Sequence, residues 1–424
     1  MINKLQLTSL ALIIGISVWS QNVKEIESTS NWMTNWTNFK PTTANYNEAE
    51  YILNGTIDKD TKLLKRNTYI LTDVVYVTQN ATLTIEPGTV IRGDEKTCGT
   101  LVITKGAKII AEGTDTDPIV FTSNKNIGTR KPGDWGGIIM LGNAPINKIG
   151  GITYLDFNLN PLYGYYGGQN PEDNSGILKY VRIEYAGRKL NSLKELNGLS
   201  LAGVGNKTTL DKIQISYSND DSFESYGGCV NLNHLVSYRA TDDDFDFTQG
   251  VQANISNSVA LRYPYNSDIS GSRCFEIDSY DKVENADFRQ KGTNIIADNI
   301  TLINMEDNNQ GLIRESIYIK ENSNFLLKNS IISGFNTVIL LGGKIGNITE
   351  NLQKINFDKI VLNSSNTTKT FISEQEEYNN DLKNWFLLNK NLEFKNSTLQ
   401  DLFINPNVRN TPDFRIKNTA FANN

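Results

Sequence analysis

Three short acidic strings hold the residues best suited to chemistry in this chain. Ser216-Tyr217 leads to Asp220-Asp221-Ser222-Phe223-Glu224, and Ser237-Tyr238 leads to Asp242-Asp243-Asp244-Phe245-Asp246. Phe223 and Phe245 lie 22 residues apart, as do Asp220/Asp242 and Glu224/Asp246. Cys274-Phe275-Glu276 repeats the end of the string 30 residues beyond Phe245, which fits the same register with a loop inserted. On extended strands the phenylalanines then point one way and the acids the other. Strands stacked about 4.8 Å apart would place Glu224, Asp246 and Glu276 in one row of like charges. Such a row needs Lys or Arg partners, a bound cation, or protonation of some members.

Three chemistries fit that row. Clustered Asp and Glu oxygens suit a hard cation, with Asp220, Asp221, Asp242, Asp243 and Asp244 as calcium ligands. Paired carboxylates on adjacent or alternate strands also bracket the separations used by glycosidases, with Asp221, Glu224, Asp246 and Glu276 as candidates. Finally, Asp and Asn cap turns by hydrogen-bonding their own backbone, a purely structural role. Arg239, Arg262 and Arg273 lie near the row in sequence, as salt partners or, for Arg262 and Arg273, as catalytic bases.

The rest of the composition narrows the field. The single histidine, His234, precludes a two-His metal cluster, and a Ser-His-Asp triad would have to pass through it. His234 aligns with Lys212, Asn257, Asn299 and Asn329 at equivalent strand positions, which predicts a polar ladder residue instead of a base. Cys98, Cys229 and Cys274 are too few and too widely spaced for a disulfide framework, and are expected as small packed side chains. A net charge of −6 argues against nucleic acid as partner. No phosphate-binding GxxxxGK[ST] loop is present.

The elements that would position the acids are a repeat. LTIEPGTVIRG from Leu83 and LVITKGAKIIAEG from Leu101 match at an offset of 18. Later, YVRIEYAG, KIQISYSN, HLVSYRAT, NSVALRY, NITLIN and NSIISGF, beginning at Tyr180, Lys212, His234, Asn257, Asn299 and Asn329, overlay with steps of 32, 22, 23, 42 and 30. The 42 step is two turns or one turn with a long excursion. Short strands with Gly, Asn, Asp and Ser between them, and almost no helical periodicity before residue 373, predict an all-β fold, a right-handed parallel β-helix solenoid with capped ends. A β-propeller would need blades of roughly 40–50 residues. Residues 76–345 are expected as rungs, 21–75 as an amino-terminal cap and lead-in, and 346–424 as last rungs, a helical excursion and a carboxy-terminal cap. The aromatic stretch Asn31–Tyr46 is expected to cover one end. Tyr378, Leu382 and Trp385/Phe386, with Pro412–Ile416, are expected to cover the other.

Residues 1–20 have a basic start at Lys4, an apolar run from Leu10 to Val18 and a small residue at Ser20, the layout of a signal peptide. Export to the periplasm, the outer cell surface or the medium is expected, with no membrane span, no lipid-anchor cysteine, a mature charge of −7 and a monomeric state.

TLTIEPGTVIRG (82–93), GDWGGIIMLGNAPIN (133–147), LKYVRIEYAG (178–187), SYSNDDSFESYGG (216–228) and DDDFDF (242–247) resemble a family of secreted β-helix proteins with a pectin-lyase-like fold, widespread in the Bacteroidetes. NWTNFKP (35–41) and TPDFR (411–415) are similar to its terminal segments, so the likeness spans residues 31–416. It implies the solenoid and, for many relatives, a carboxy-terminal sorting domain, while the family's chemistry is mostly unassigned. Asn219-Asp220-Asp221 is faintly similar to the acidic motif of polygalacturonases, but their GHG motif is absent, and His234 sits in NLNHLV. Lyases on this fold combine calcium with an Arg or Lys base. Trp135 in GDWGG is expected as a packed turn aromatic, with sugar stacking as the alternative. Tyr163, Tyr165 and Tyr166 sit on an apparent loop insertion, and exposed beside the acids they would favour a carbohydrate groove. The function expected is binding of an extended ligand, a glycan, on an acidic and aromatic lateral face. The alternatives are a polysaccharide lyase or glycoside hydrolase, and a structural or adhesive surface protein without catalysis.

Overall fold

A computed structural model describes residues 30–417 apart from 193, 269–270, 309, 346–348, 364–370, 375–383, 386–387, 389–391 and 395–396. The expected signal peptide, and Tyr378, Leu382 and Phe386 of the expected helical face, lie outside the described residues. The chain is a parallel β-helix. Successive turns hydrogen-bond into one 15-stranded and one 11-stranded sheet, joined by short corners.

Each turn has three legs. The smaller sheet stacks the third legs, among them Leu199–Ala202, Phe223–Tyr226, Phe245–Thr248, Phe275–Ile277 and Glu315–Ile319. The larger sheet contains the first and second legs. In early turns these are separate strands, such as Thr82–Ile85 and Val90–Gly93, with Gly88 at φ +77° between them. From Gly176–Glu184 onward they fuse into long strands. Residues 176–179 of that strand pair with Lys108–Glu112, and residues 181–183 with Ile119–Ser123.

The fused strands bend at one left-handed residue, with φ between 50° and 57° at Tyr180, Lys212, His234, Asn257, Asn299, Asn329 and Lys359. Asn tolerates this conformation better than most side chains. The Asn299 amide donates to Asn257 at 2.8 Å, and Asn257 to Asn233 at 2.9 Å, so the bends are stitched along the axis. His234 occupies such a bend, which accounts for its place in the ladder.

The registers confirm the steps of 32, 22, 23, 42 and 30 and decide the ambiguous one: Gln252–Arg262 pairs directly with Asn294–Asn304, so the 42 step is a single turn. The offset of 18 is not a turn. Thr82–Ile85 stacks on Lys108–Glu112 and Thr100–Ile103 on Val74–Val77, so the opening strands of the two similar strings lie in different sheets. Inside, Phe223, Phe245 and Phe275 stack with ring centroids 5.5 and 5.1 Å apart, and the column continues through Phe325, Phe357 and Trp385.

The terminal segments do not both sit where expected. Met33, Trp36 and Phe39 pack on Val236, Tyr238, Val259 and Leu261, on the outer side of the second legs. The antiparallel pair Phe403–Asn405 and Asp413–Ile416 lies on the same side, and the Asn31 amide donates to the Pro412 carbonyl at 2.9 Å. The stretch 31–46 is therefore a lateral strap, and strand pairing already starts at Tyr51–Leu53. The physical reason is that the second legs are apolar on both faces, so their outer face also needs cover.

Phe245→Ala would open a gap between two stacked rings at the middle of the column. A loss of about 3–5 kcal/mol is expected, read as a lower urea midpoint for the mutant. An unchanged midpoint would show that the ring column is not a main source of cohesion.

Candidate cation and ligand site

The third legs direct the acids outward in one line. Ser200, Glu224, Asp246, Glu276 and Tyr318 are consecutive partners across four strand pairs, while Phe223, Phe245 and Phe275 face the core. The turns before these strands are also acidic and are joined by their side chains. Asp221 accepts the Asp243 backbone N–H at 2.8 Å, and Asp243 accepts that of Arg273 at 2.5 Å. The acceptors are 22 and 30 residues from their donors, so Asp221 and Asp243 do not cap their own turns but tie each turn to the next, each through one oxygen.

The row is compensated unevenly. Glu276 receives Arg273 Nη1 at 2.5 Å and Lys320 Nζ at 2.5 Å. Arg273 also binds Glu315 at 2.6 Å, and Lys320 reaches Asp278 at 3.3 Å. One and two turns earlier, no ion pair reaches Asp220, Asp221, Glu224 or Asp246 among the described residues. Glu224 instead accepts hydrogen bonds from Asn197 and Tyr226. Asp246 Oδ1 is buried without a hydrogen-bond partner.

Oxygens of Asp220/Asp221/Asp242, of Asp221/Glu224/Asp246 and of Asp243/Asp246/Glu276 each lie within 4.8 Å of one another. Burial first, and then neighbouring carboxylates, push Asp220, Asp221, Asp243 and Asp246 well above the usual carboxylate range. Burial raises Glu224 to about 7, against the pull of its bonds from Tyr226 and Asn197. This is an all-oxygen cluster in which the negative form is costly.

The family model for a pectate-lyase-like beta helix domain matches residues 55–401. The chain belongs to that family. No curated protein and no solved structure gives a match. Among the described residues, no helix of this pectate-lyase-like β-helix is long and apolar enough to cross a membrane.

Two candidates leave the site. Arg262 and Asp244 form an ion pair at 3.1 Å with both side chains fully buried, and Arg262 also donates to the Arg273 carbonyl at 2.8 Å. Asp244 is the third acid of its run, and its two oxygens are taken by Ser237 and Arg262. It is not an available calcium ligand, and Arg262 is not an available base. Arg239 is elsewhere too, 3.4 Å above the Tyr263 ring and bonded to Asn266.

Arg273 does reach the row. Its clamp between Glu276 and Glu315 raises it further above its ordinary value, against burial, and the same holds for Lys320 between Glu276 and Asp278. Neither is poised to lose a proton.

Other expectations resolve by packing. Trp135 is fully buried and donates to the Glu184 carbonyl at 2.8 Å, a packed aromatic. Tyr166 is buried and donates to Gln249, Tyr163 packs on Tyr76, and Tyr165 is exposed. His234 bonds Asp211 at 2.8 Å and touches Trp32 of the strap, on the larger sheet and not on the strands of the acid row. All three cysteines are free. Sequence reasoning missed Asn197, Tyr226, Asp278 and Lys320. Asp278 and Tyr226 sit two residues after Glu276 and Glu224, on the same outward face by strand alternation, and could have been found.

Two measurements check this account. Groups whose folded pKa is raised hold protons that the unfolded chain has lost, so stability falls as pH rises from about 4.5 through about 7. Without added cation, the melting temperature is expected to drop by several degrees over that interval, and by less in Glu224→Gln. A flat profile would mean that the row is already neutralised. His234→Asn keeps a residue suited to the bend, and is expected to leave the melting temperature within a degree or two of wild type.

Proposed function

We propose that this chain is an exported β-helix that binds an extended glycan along the acidic face of the smaller sheet, with calcium held by Asp220, Asp221, Glu224, Asp242 and Asp246. The observation that carries this reading is the Asp221/Glu224/Asp246 cluster, with a buried, unpartnered oxygen on Asp246 and no ion pair, one turn from a Glu276 that has two cations. An acid row on this fold can be neutralised by basic side chains, as at Glu276, and here the sequence leaves that to something else. Oxygen-only donors suit calcium over zinc or copper. Bound calcium would remove the repulsion that raises these carboxyls, and its open positions would accept sugar hydroxyls. The family's description, which names pectate lyase, supports a polysaccharide as the ligand class. The apolar segment near the start of the chain supports export.

A second reading is glycoside hydrolysis, favoured by Glu224 at about 7, a value suited to a general acid, beside the carboxylates of Asp221 and Asp246. A lyase reading has less support, because Arg273 and Lys320 are both committed to carboxylates.

Calorimetry with calcium, and thermal melts at pH 8 with calcium or chelator, test the reading. Calcium is expected to bind and to raise the melting temperature, and Asp246→Asn to weaken binding at least about tenfold. A glycan panel run in both conditions, with assays for unsaturated and reducing-end products, separates binding from cleavage. Melts indifferent to chelator, with no glycan retained, would overturn the proposal in favour of a structural role.

A further inference from the structure

The 42-residue turn from Asn257 to Asn299 is the longest of the aligned turns, and its extra length falls on both sides of the short third leg Phe275–Ile277 that carries Glu276. Each insertion displays one aromatic ring to solvent: Tyr265, 69% exposed, before the strand, and Phe288, 63% exposed, after it. Among the described residues only four aromatic side chains are more than about a third exposed. Besides these two they are Tyr165 and Tyr51, and Tyr51 alone lies far off, on the first strand of the larger sheet.

Both insertions are anchored to the turns that carry the acids. In the first, Asn266 accepts from Arg239, and Ser272 donates to the carbonyl of Thr241, the residue before Asp242. In the second, Phe288 packs edge-on to Tyr280 at 5.2 Å, two residues after Asp278, which shares Lys320 with Glu276. The Asp287 N–H donates to the Asn147 carbonyl at 2.7 Å, and Lys148 and Ala286 form an antiparallel bridge, tying this loop to the excursion that carries Tyr165. The loops that carry the rings are therefore tied down on either side of the strand, and a hydrophobic ring displayed to water is a ready platform for an apolar face.

The floor between these loops bears Glu224, Asp246 and Glu276, and its basic neighbours Arg273 and Lys320 are already paired. Even with one calcium ion bound, the floor and its edge hold more carboxylates than that ion neutralises, and a polyuronate would add like charge to them. An uncharged chain brings hydroxyls to the carboxylates and the apolar faces of its sugar rings to the two aromatic side chains. The geometry points to a clamp for a neutral polysaccharide, with Tyr265 and Phe288 as stacking platforms on either side of Glu276. This rests on the glycan-binding reading above and specifies its ligand class.

The test titrates wild type, Tyr265→Ala, Phe288→Ala and the double variant, in calcium, with cellohexaose, mannohexaose, xylohexaose and hexagalacturonate. Tyr51→Ala serves as control and Tyr265→Phe as rescue. Both rings are exposed, so melting temperature and calcium binding are expected to match wild type in every variant. Wild type is expected to prefer a neutral hexasaccharide, each alanine variant to weaken it about tenfold, and Tyr265→Phe to restore it. A preference for hexagalacturonate, or neutral binding that the alanine variants leave intact, overturns the clamp alone. Failure of wild type to bind any of the four overturns the glycan reading and the clamp with it.

Discussion

In a parallel solenoid, whatever stands at one position stands again about 4.8 Å away on the next turn. That constraint governs this molecule. Apolar residues gain from it, since Phe223, Phe245 and Phe275 become a continuous ring stack. Amides gain from it too, because an Asn both donates and accepts, and Asn257 and Asn299 bond along the axis. Carboxylates lose. The repeat that aligns the rings also aligns Glu224, Asp246 and Glu276, and the protein resolves the conflict at only one of the three.

The fold and the register of the acid row were legible in the sequence because inward phenylalanines and outward acids repeat together, which fixes both spacing and face. The 42-residue step was not decidable from spacing, since a loop and an extra turn lengthen a chain equally. The offset of 18 misled for a related reason: strands on different legs face the same core and so converge on the same alternation. Asp244 was unreadable for another reason. In a run of three aspartates, the one that turns inward is chosen by a buried partner, Arg262, contributed by the larger-sheet strand of the following turn. The strap carried a signal that went unused. LVSY and VALRY are apolar on both alternations, which marks a strand covered on both sides.

The site is accordingly a division of labour between turns. Asp221 and Asp243 each give one oxygen to a backbone N–H and keep the corners in shape. Asp244 is sealed inside with Arg262, and Glu276 is neutralised on the surface. Glu224 and Asp246 are left without an ion pair among the described residues, and Asp246 keeps a buried oxygen with no hydrogen-bond partner.

The meeting of the strap and the carboxy-terminal pair has a mechanical consequence. Asn31 and Pro412, 381 residues apart in the chain, are joined by a hydrogen bond on one flank of the coil. Tension applied between those two points would load that junction first, and the stacked turns would stay out of the line of force until it gave way. The coil would act as a cargo held beside a short tether, shielded from being pulled open turn by turn.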